Sequence, residues 1–410
     1  MRVLFATWAQ TGHYQPLVPL GWGLRAAGHE VAVLTHPSFA ATITGSGLPA
    51  VPVGPDIDVT AQLRECYAVL ARTEAITGAA QFHRRGGWSG SPRPDEGRAR
   101  DRPQNQLGRD MLRIVLDGCF AMLDDAYAFA SAWRPDLVVY EPNGFLGGVL
   151  ATALELPSAR VLWAPDFSRP MQAFSRRFFG PVLKRFGLPD VDITGTVTLD
   201  PCPPRMQVDD DLPRRPMRYI GYPGPLPPPP LGLTRPGDRP RVCVTWGTTI
   251  HGLGLNETYL APDVVRALAT EDIDIVLAVP VSQLPAFGEL PANVIHAGPV
   301  SLLGGLATCD AVVHQAGGGT TMSSVLSGVP QLALPTLPDT EFNAMRMAQT
   351  GAGLLLPAED AGAAEIADQV RQLLAEPGYR AAAGQLRDEA LAMPTPAETV
   401  GALVELATAG

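Results

Sequence analysis

No apolar run in this 410-residue sequence approaches the ~20 residues needed to cross a bilayer. The short run Met1–Thr7 stops at a polar loop, as a first β-strand does and a signal peptide does not. Cysteine is scarce. Cys66, Cys119, Cys202, Cys243 and Cys309 are scattered, odd in number and never in a CxxC pair, which argues against a disulfide framework and for a reduced, cytoplasmic protein. Positive charge is also in deficit: 31 Lys and Arg against 41 Asp and Glu give a formal net charge of −10. A nucleic-acid binder would carry a basic face, so that class is excluded. An anionic small molecule is not, because backbone amides and helix dipoles can hold phosphates without lysines. His29, His36, His83, His251 and His296 show no ligand spacing, so neither a metal nor another cofactor is expected.

What is present is enough apolar material, 46% of residues, for two packed interiors, and a length that suits two domains of about 200 residues each. Apolar runs of strand length alternate with helix-like stretches. Val3–Thr7, Val31–Thr35, Ala50–Val53, Asp136–Glu141 and Ala159–Trp163 read as strands buried on both faces, with helices at Pro16–Ala27, Leu107–Trp133 and Phe145–Leu154. The second half repeats the pattern: strands at Val242–Thr245, Ile273–Val279, Ala311–His314 and Gln331–Leu334, helices near Thr320–Leu326 and Glu341–Gln349. Strand–helix repetition with short turns predicts an α/β fold of two doubly wound parallel sheets. The Pro- and Gly-rich stretch 221–240 can continue neither a helix nor a central strand and reads as the linker between residues 1–220 and 241–392. Helices at Ala363–Ala375, Tyr379–Ala392 and Pro396–Ala407 close the chain, the last a candidate to pack back on the first domain. Residues 56–105, with glycines and prolines among charges, read as a long irregular loop, a candidate acceptor lid.

The strongest constellation is His314-Gln315-Ala316-Gly317-Gly318-Gly319-Thr320-Thr321, after one predicted strand and before a helix. Glycines at a helix N-terminus leave several backbone N–H groups unpaired at the positive end of the helix dipole, a good seat for a diphosphate. Thr320 could add a hydroxyl and His314 an imidazole N–H. A lone glycine triplet is more often a bare tight turn. Here it is followed by Gly328-Val329-Pro330-Gln331, Leu334-Pro335, Asp339-Thr340-Glu341-Phe342-Asn343 and Gly351-Ala352-Gly353. The stretch Cys309–Gly353 resembles the donor signature of the UDP-glycosyltransferase superfamily (family 1), above all its bacterial enzymes that glycosylate antibiotics and other polyketides. The resemblance runs nearly the full length.

That resemblance implies the GT-B fold, two Rossmann-like domains facing a central cleft, and an inverting, metal-independent transfer of a sugar from a nucleotide diphosphate, TDP rather than UDP by its nearest look. It places the diphosphate at Thr248, Thr249, His314, Gly317, Gly318, Gly319 and Thr320, and the donor sugar at Asp339 and Thr340. Two departures stand out. The family's Gln after the Asp is Thr340 here, a shorter side chain with less reach, which suits a deoxysugar. The family's Trp-Val-Pro beside the base is Pro299-Val300-Ser301, which removes the aromatic stacking partner and leaves the Val300 backbone to read the base.

Attack of a hydroxyl on an anomeric carbon needs a base, and histidine suits neutral pH. His13 lies in Thr11-Gly12-His13-Tyr14-Gln15-Pro16-Leu17, between first strand and first helix, at the carboxyl edge where such sheets bind ligands. An isolated histidine there is more often a helix cap. The family signature continues through Pro19-Leu20 and Gly28-His29-Glu30-Val31 and puts the base at His13. Glu141, ending the strand Asp136–Glu141, is the carboxylate expected to fix its tautomer. Trp8, Phe82 and Phe167 are candidate acceptor contacts, with Trp88, Trp163, Phe174, Phe178 and Phe179 adding aromatic area; they suit a flat, hydrophobic, polyketide-like acceptor. An O- or a C-linked product would use the same pair. A nucleotide-sugar epimerase of the same fold and a non-catalytic partner of another transferase are the rivals, and a homodimer or an auxiliary activator protein stays open.

Overall fold

A computed structural model describes residues 1–72, 103–169, 172, 175–224, 233, 238–255 and 258–409, without the side chains of 69–72 and 103–108. Its thirteen described strands form two all-parallel sheets. The first, of seven strands, runs β3-β2-β1-β4-β5-β6-β7, with β1 Arg2–Ala6, β2 Glu30–Thr35, β3 Ala50–Pro52, β4 Leu137–Tyr140, β5 Ser158–Val161, β6 Val197–Asp200 and β7 Arg214–Pro216. The second, of six, runs β10-β9-β8-β11-β12-β13, with β8 Arg241–Val244, β9 Asp274–Ala278, β10 Val294–Gly298, β11 Ala311–His314, β12 Gln331–Ala333 and β13 Gly353–Leu355. Together they make the expected GT-B architecture.

The central strands are apolar on both faces because helices cover both sides, and β1, β4, β8 and β11 are buried almost throughout. Strand order reverses between β1 and β4 in the first sheet and between β8 and β11 in the second. Chains leaving the carboxyl ends there diverge and open a crevice, which is where sheets of this kind bind ligands. All nine strands expected from the sequence are present. The four it missed (β6, β7, β10 and β13) lie at or next to sheet edges and are short. Arg214–Pro216 carries no apolar run at all, since an edge strand is half solvated and needs none.

The expectation of a wholly irregular 56–105 is corrected at both ends: Val59–Arg72 is helical, and Pro103 starts a helix that continues to Trp133. Phe82, Trp88, Phe174 and most of 225–237 lie outside the described residues. The last helix, Pro396–Thr408, crosses to the first sheet, where Val400 and Leu403 join the cluster built by Val3, Phe5, Leu20 and Leu24. A loop of the first half reciprocates: Cys202 and Met206 pack among Ala316, Val325, Ala344 and Met347 of the second. No helix among the described residues is long and apolar enough to cross a membrane.

Candidate active site

The segments that leave adjacent strands β1 and β4 bring His13 and Glu141 together. Ala6 pairs with Tyr140 in the sheet, so the next residues of both strands emerge side by side at the carboxyl edge. His13 sits in a helical turn, Thr11–Tyr14, and its Nδ1 lies 3.0 Å from Glu141 Oε2. The Glu141 side chain is fully buried, while 19% of the His13 side chain stays exposed. The carboxylate is fully engaged: the Trp8 N–H donates to Oε1 at 2.8 Å and the Asn143 N–H to Oε2 at 2.8 Å. With backbone donors already on both oxygens, Glu141 serves as acceptor and holds the imidazole proton on Nδ1, leaving Nε2 with a free lone pair. The His13 ring stands between two indoles, Trp8 (centroids 4.9 Å apart, edge-on) and Trp163 (4.5 Å). Phe167 is half-buried, 6.0 Å from Trp163. Trp8 and Phe167 thus both stand close to the His13 group.

Across the cleft, β11 runs into the helix Gly318–Ser327, with Gly317 at its N-cap and Gly318, Gly319 and Thr320 in its first turn. The first N–H groups of a helix have no partner within it, and they carry its partial positive charge. The β8 turn, Trp246-Gly247-Thr248, lies alongside because β8 and β11 are neighbours. Gly247 has φ +60, and a Cβ there would fall 2.7 Å from Gln315 Nε2. Gln283 pins the same turn by donating to the Gly247 carbonyl at 2.8 Å. Thr248 and Thr249 are exposed and face Gln10, Thr11, Gly12 and Thr60 of the first domain around a cavity of about 170 Å³. Arg64 spans this gap and donates to the Gly252 carbonyl at 2.8 Å.

Two sequence expectations, for His314 and Thr340, change at the level of side chains, while the buried Val300 side chain agrees with a backbone-only contact. His314 is fully buried with both ring nitrogens in use: Nε2 donates to Gln331 Oε1 at 2.9 Å, and Nδ1 accepts from the Ala316 N–H at 2.9 Å. Burial pushes its pKa down to about 4, against the Gln331 bond, so it is a neutral brace of the loop and offers no N–H to the cleft. Thr340 is likewise spent. Its hydroxyl donates to the Leu337 carbonyl at 2.8 Å and accepts from the Leu337 N–H at 3.0 Å, closing the N-terminus of helix Pro338–Gln349 rather than facing a sugar. Val300 buries its side chain among Val276, Leu306 and Val312, leaving only backbone to a ligand.

Asp339, in the first turn of helix Pro338–Gln349, lies within electrostatic reach of His13 in the first domain. Burial raises its carboxyl above the usual range, opposed by its own backbone N–H, the charge of His13 and the Thr340 N–H, and its field reaches Tyr67 on helix Val59–Arg72. The sequence reading missed Gln315. Its side chain is buried between Gly247 and Gly317, with Oε1 lacking a partner, so an amide rather than an imidazole lines the loop. It also missed Asn343, which ties helix Pro338–Gln349 to the loop by donating to the Ala316 carbonyl at 3.0 Å. Gln315 stands inside the very motif singled out, but only the alternation of inward and outward side chains after β11 distinguishes it from His314.

Models of the N- and C-terminal domains of erythromycin biosynthesis protein CIII-like proteins match residues 22–247 and 263–406. A 10-deoxymethynolide desosaminyltransferase of Streptomyces venezuelae is 34% identical over 99% of this chain and 97% of its own length. The TDP-daunosamine transferase DnrS of Streptomyces peucetius is 35% identical, again over 99% and 97%. Among solved structures, spinosyn rhamnosyltransferase SpnG complexed with thymidine diphosphate superposes with a TM-score of 0.80 at 29% identity, over 98% of this chain and 100% of that one. Glycosyltransferase VinC in complex with dTDP gives 0.76 at 32%, over the whole of both chains. With its two-sheet fold and facing clefts, the chain belongs to the erythromycin CIII-like family of antibiotic glycosyltransferases and is a GT-B glycosyltransferase.

Proposed function

We propose that this enzyme transfers a deoxysugar from a thymidine diphosphate donor to a hydroxyl of a polyketide-derived aglycone, with inversion at the anomeric carbon and His13 as general base. The single observation that carries this reading is the His13–Glu141 pair, in which the buried carboxylate engages Nδ1 and leaves Nε2 for the acceptor. The acceptor lies on the first domain against Trp8 and Phe167, and the donor on the second. His13 Nε2 takes the acceptor proton as the acceptor oxygen bonds to the anomeric carbon. The bond from that carbon to the diphosphate oxygen breaks, and its electron pair leaves on the diphosphate. The resulting imidazolium is stabilised by Glu141.

Leaving-group charge meets the N–H groups of Gly318, Gly319 and Thr320, with Thr248, Thr249 and the Gln315 amide beside them. A preorganised set of dipoles of this kind lowers the barrier without a metal. Asp339 holds a sugar hydroxyl. Because Thr340 is turned into its helix cap, the sugar meets fewer polar partners than the family's Gln would supply, which favours a donor with fewer hydroxyls. The relative named for TDP-daunosamine transfer and the structures solved with thymidine diphosphate support TDP over UDP, and the relative named for 10-deoxymethynolide supports a natural-product aglycone as acceptor. Initial rates with TDP-deoxysugar and TDP-glucose donors test the reading. A deoxysugar preference is expected, and a clear preference for glucose overturns it.

A further inference from the structure

Trp163 carries no step of the proposed transfer, yet it touches both halves of the site. It follows β5, the neighbour of β4, so its loop emerges beside Glu141 and His13. One side of the indole packs on the His13 ring at 4.5 Å between centroids. Its Cδ1–Nε1 edge reaches the donor helix, where a Cβ on Gly318 would fall 2.5 Å from Cδ1 and 3.2 Å from Nε1. Gly318 has ordinary helical backbone angles, so glycine is required there by the indole and not by φ. The loop that carries Trp163 is fixed rather than loose. The Asp166 carboxylate accepts from Ser168 N–H (3.0 Å) and Oγ (2.7 Å) and from Arg160 (2.6 Å), with the Arg160 and Asp166 side chains fully buried.

The sugar being transferred must span the same interval as this indole, from the base beside its anomeric carbon to the diphosphate on the helix terminus. We propose that the Trp163 indole is the apolar wall of the sugar subsite and sets the preference for donors lacking hydroxyls on the face turned toward it. A hydroxyl pressed on an indole face loses its water partners and gains none, whereas a CH₂ or CH₃ gains contact. Asp339, within electrostatic reach of the same His13, then supplies the polar contact. The inference rests on the glycosyl-transfer reading above and adds the residue that selects the sugar.

Calorimetric binding separates the two. Three probes, dTDP, dTDP-glucose and dTDP-2,6-dideoxyglucose, are titrated into the wild type, Trp163→Phe and Trp163→Ala. In the wild type the dideoxy donor is expected to bind about tenfold tighter than dTDP-glucose, the scale of a hydroxyl mismatch. Trp163→Ala should bring that ratio close to one while leaving dTDP affinity unchanged, and Trp163→Phe should keep part of it. A merely structural loss would weaken all three probes together and overturns the proposal. So does an unchanged ratio in Trp163→Ala. If Trp163→Ala does not fold, Trp163→Leu replaces it with the same readings. Absence of dTDP binding in the wild type overturns the donor reading itself, an outcome distinct from dTDP binding with no sugar discrimination.

Discussion

Glu141→Gln is the substitution whose cost can be worked out atom by atom. The carboxylate receives three contacts: Trp8 N–H on Oε1, and Asn143 N–H and His13 Nδ1 on Oε2. A glutamine offers one oxygen and one NH₂ in the same space. If the oxygen replaces Oε2, the NH₂ faces the Trp8 N–H and both buried donors are left unpaired, at a cost of about 1–3 kcal/mol each. If the oxygen replaces Oε1, the NH₂ faces both the Asn143 N–H and His13 Nδ1, and His13 must move its proton to Nε2, the atom that has to act as base. The first orientation therefore wins, His13 keeps its tautomer, and what disappears is the negative charge that stabilises the imidazolium. The fold should weaken by about 2–6 kcal/mol in urea unfolding. Turnover should fall by roughly 10²- to 10⁴-fold, with dTDP affinity unchanged because the pair lies on the acceptor side. A near-wild-type rate in a folded variant would refute the assignment of Glu141.

Further expectations follow from other buried groups. His314 has a folded pKa of about 4 against an unfolded value near 6.5, so the unfolded chain binds the extra proton between those limits. Its share of stability is intact above pH 6.5 and declines as pH falls toward 4, by about 2–3 kcal/mol at pH 4.5. Urea unfolding should show a smaller loss between pH 7 and 4.5 in His314→Asn than in the wild type; an equal loss contradicts the assignment. Asp166→Ala strips the counter-charge from the fully buried Arg160 and should cost about 3–5 kcal/mol in denaturant unfolding, and a change below 1 kcal/mol would discount the network. Gln315→Ala should weaken dTDP binding by about 10- to 100-fold in calorimetry if the amide bonds the charged diphosphate, and unaltered affinity removes it from the site.

Much of this was legible in the sequence because the central strands are apolar runs and the glycine loop stands within a longer family signature. The roles of His13 and Glu141 came from the family resemblance, and their positions just past two expected strands put both on one sheet edge. Edge strands escaped notice because three half-solvated residues such as Arg214–Pro216 leave no hydrophobic signature. Side-chain direction escaped too. Nothing in the order of residues says that His314 turns inward to Gln331, that Thr340 closes its own helix, or that Gln315 lines the loop. Those outcomes depend on which face of a turn is covered by the next strand. Trp163 was read only as aromatic area on the acceptor side, since its partners His13 and Gly318 lie far from it in sequence, Gly318 in the other domain.

The central claim is that His13 takes the acceptor proton while the opposite domain holds the donor. His13→Ala, measured side by side for dTDP affinity and for sugar transfer to an accepted aglycone, tests it most directly. The account predicts wild-type dTDP binding with turnover reduced by at least about 10²-fold. Near-normal turnover in that variant would contradict it.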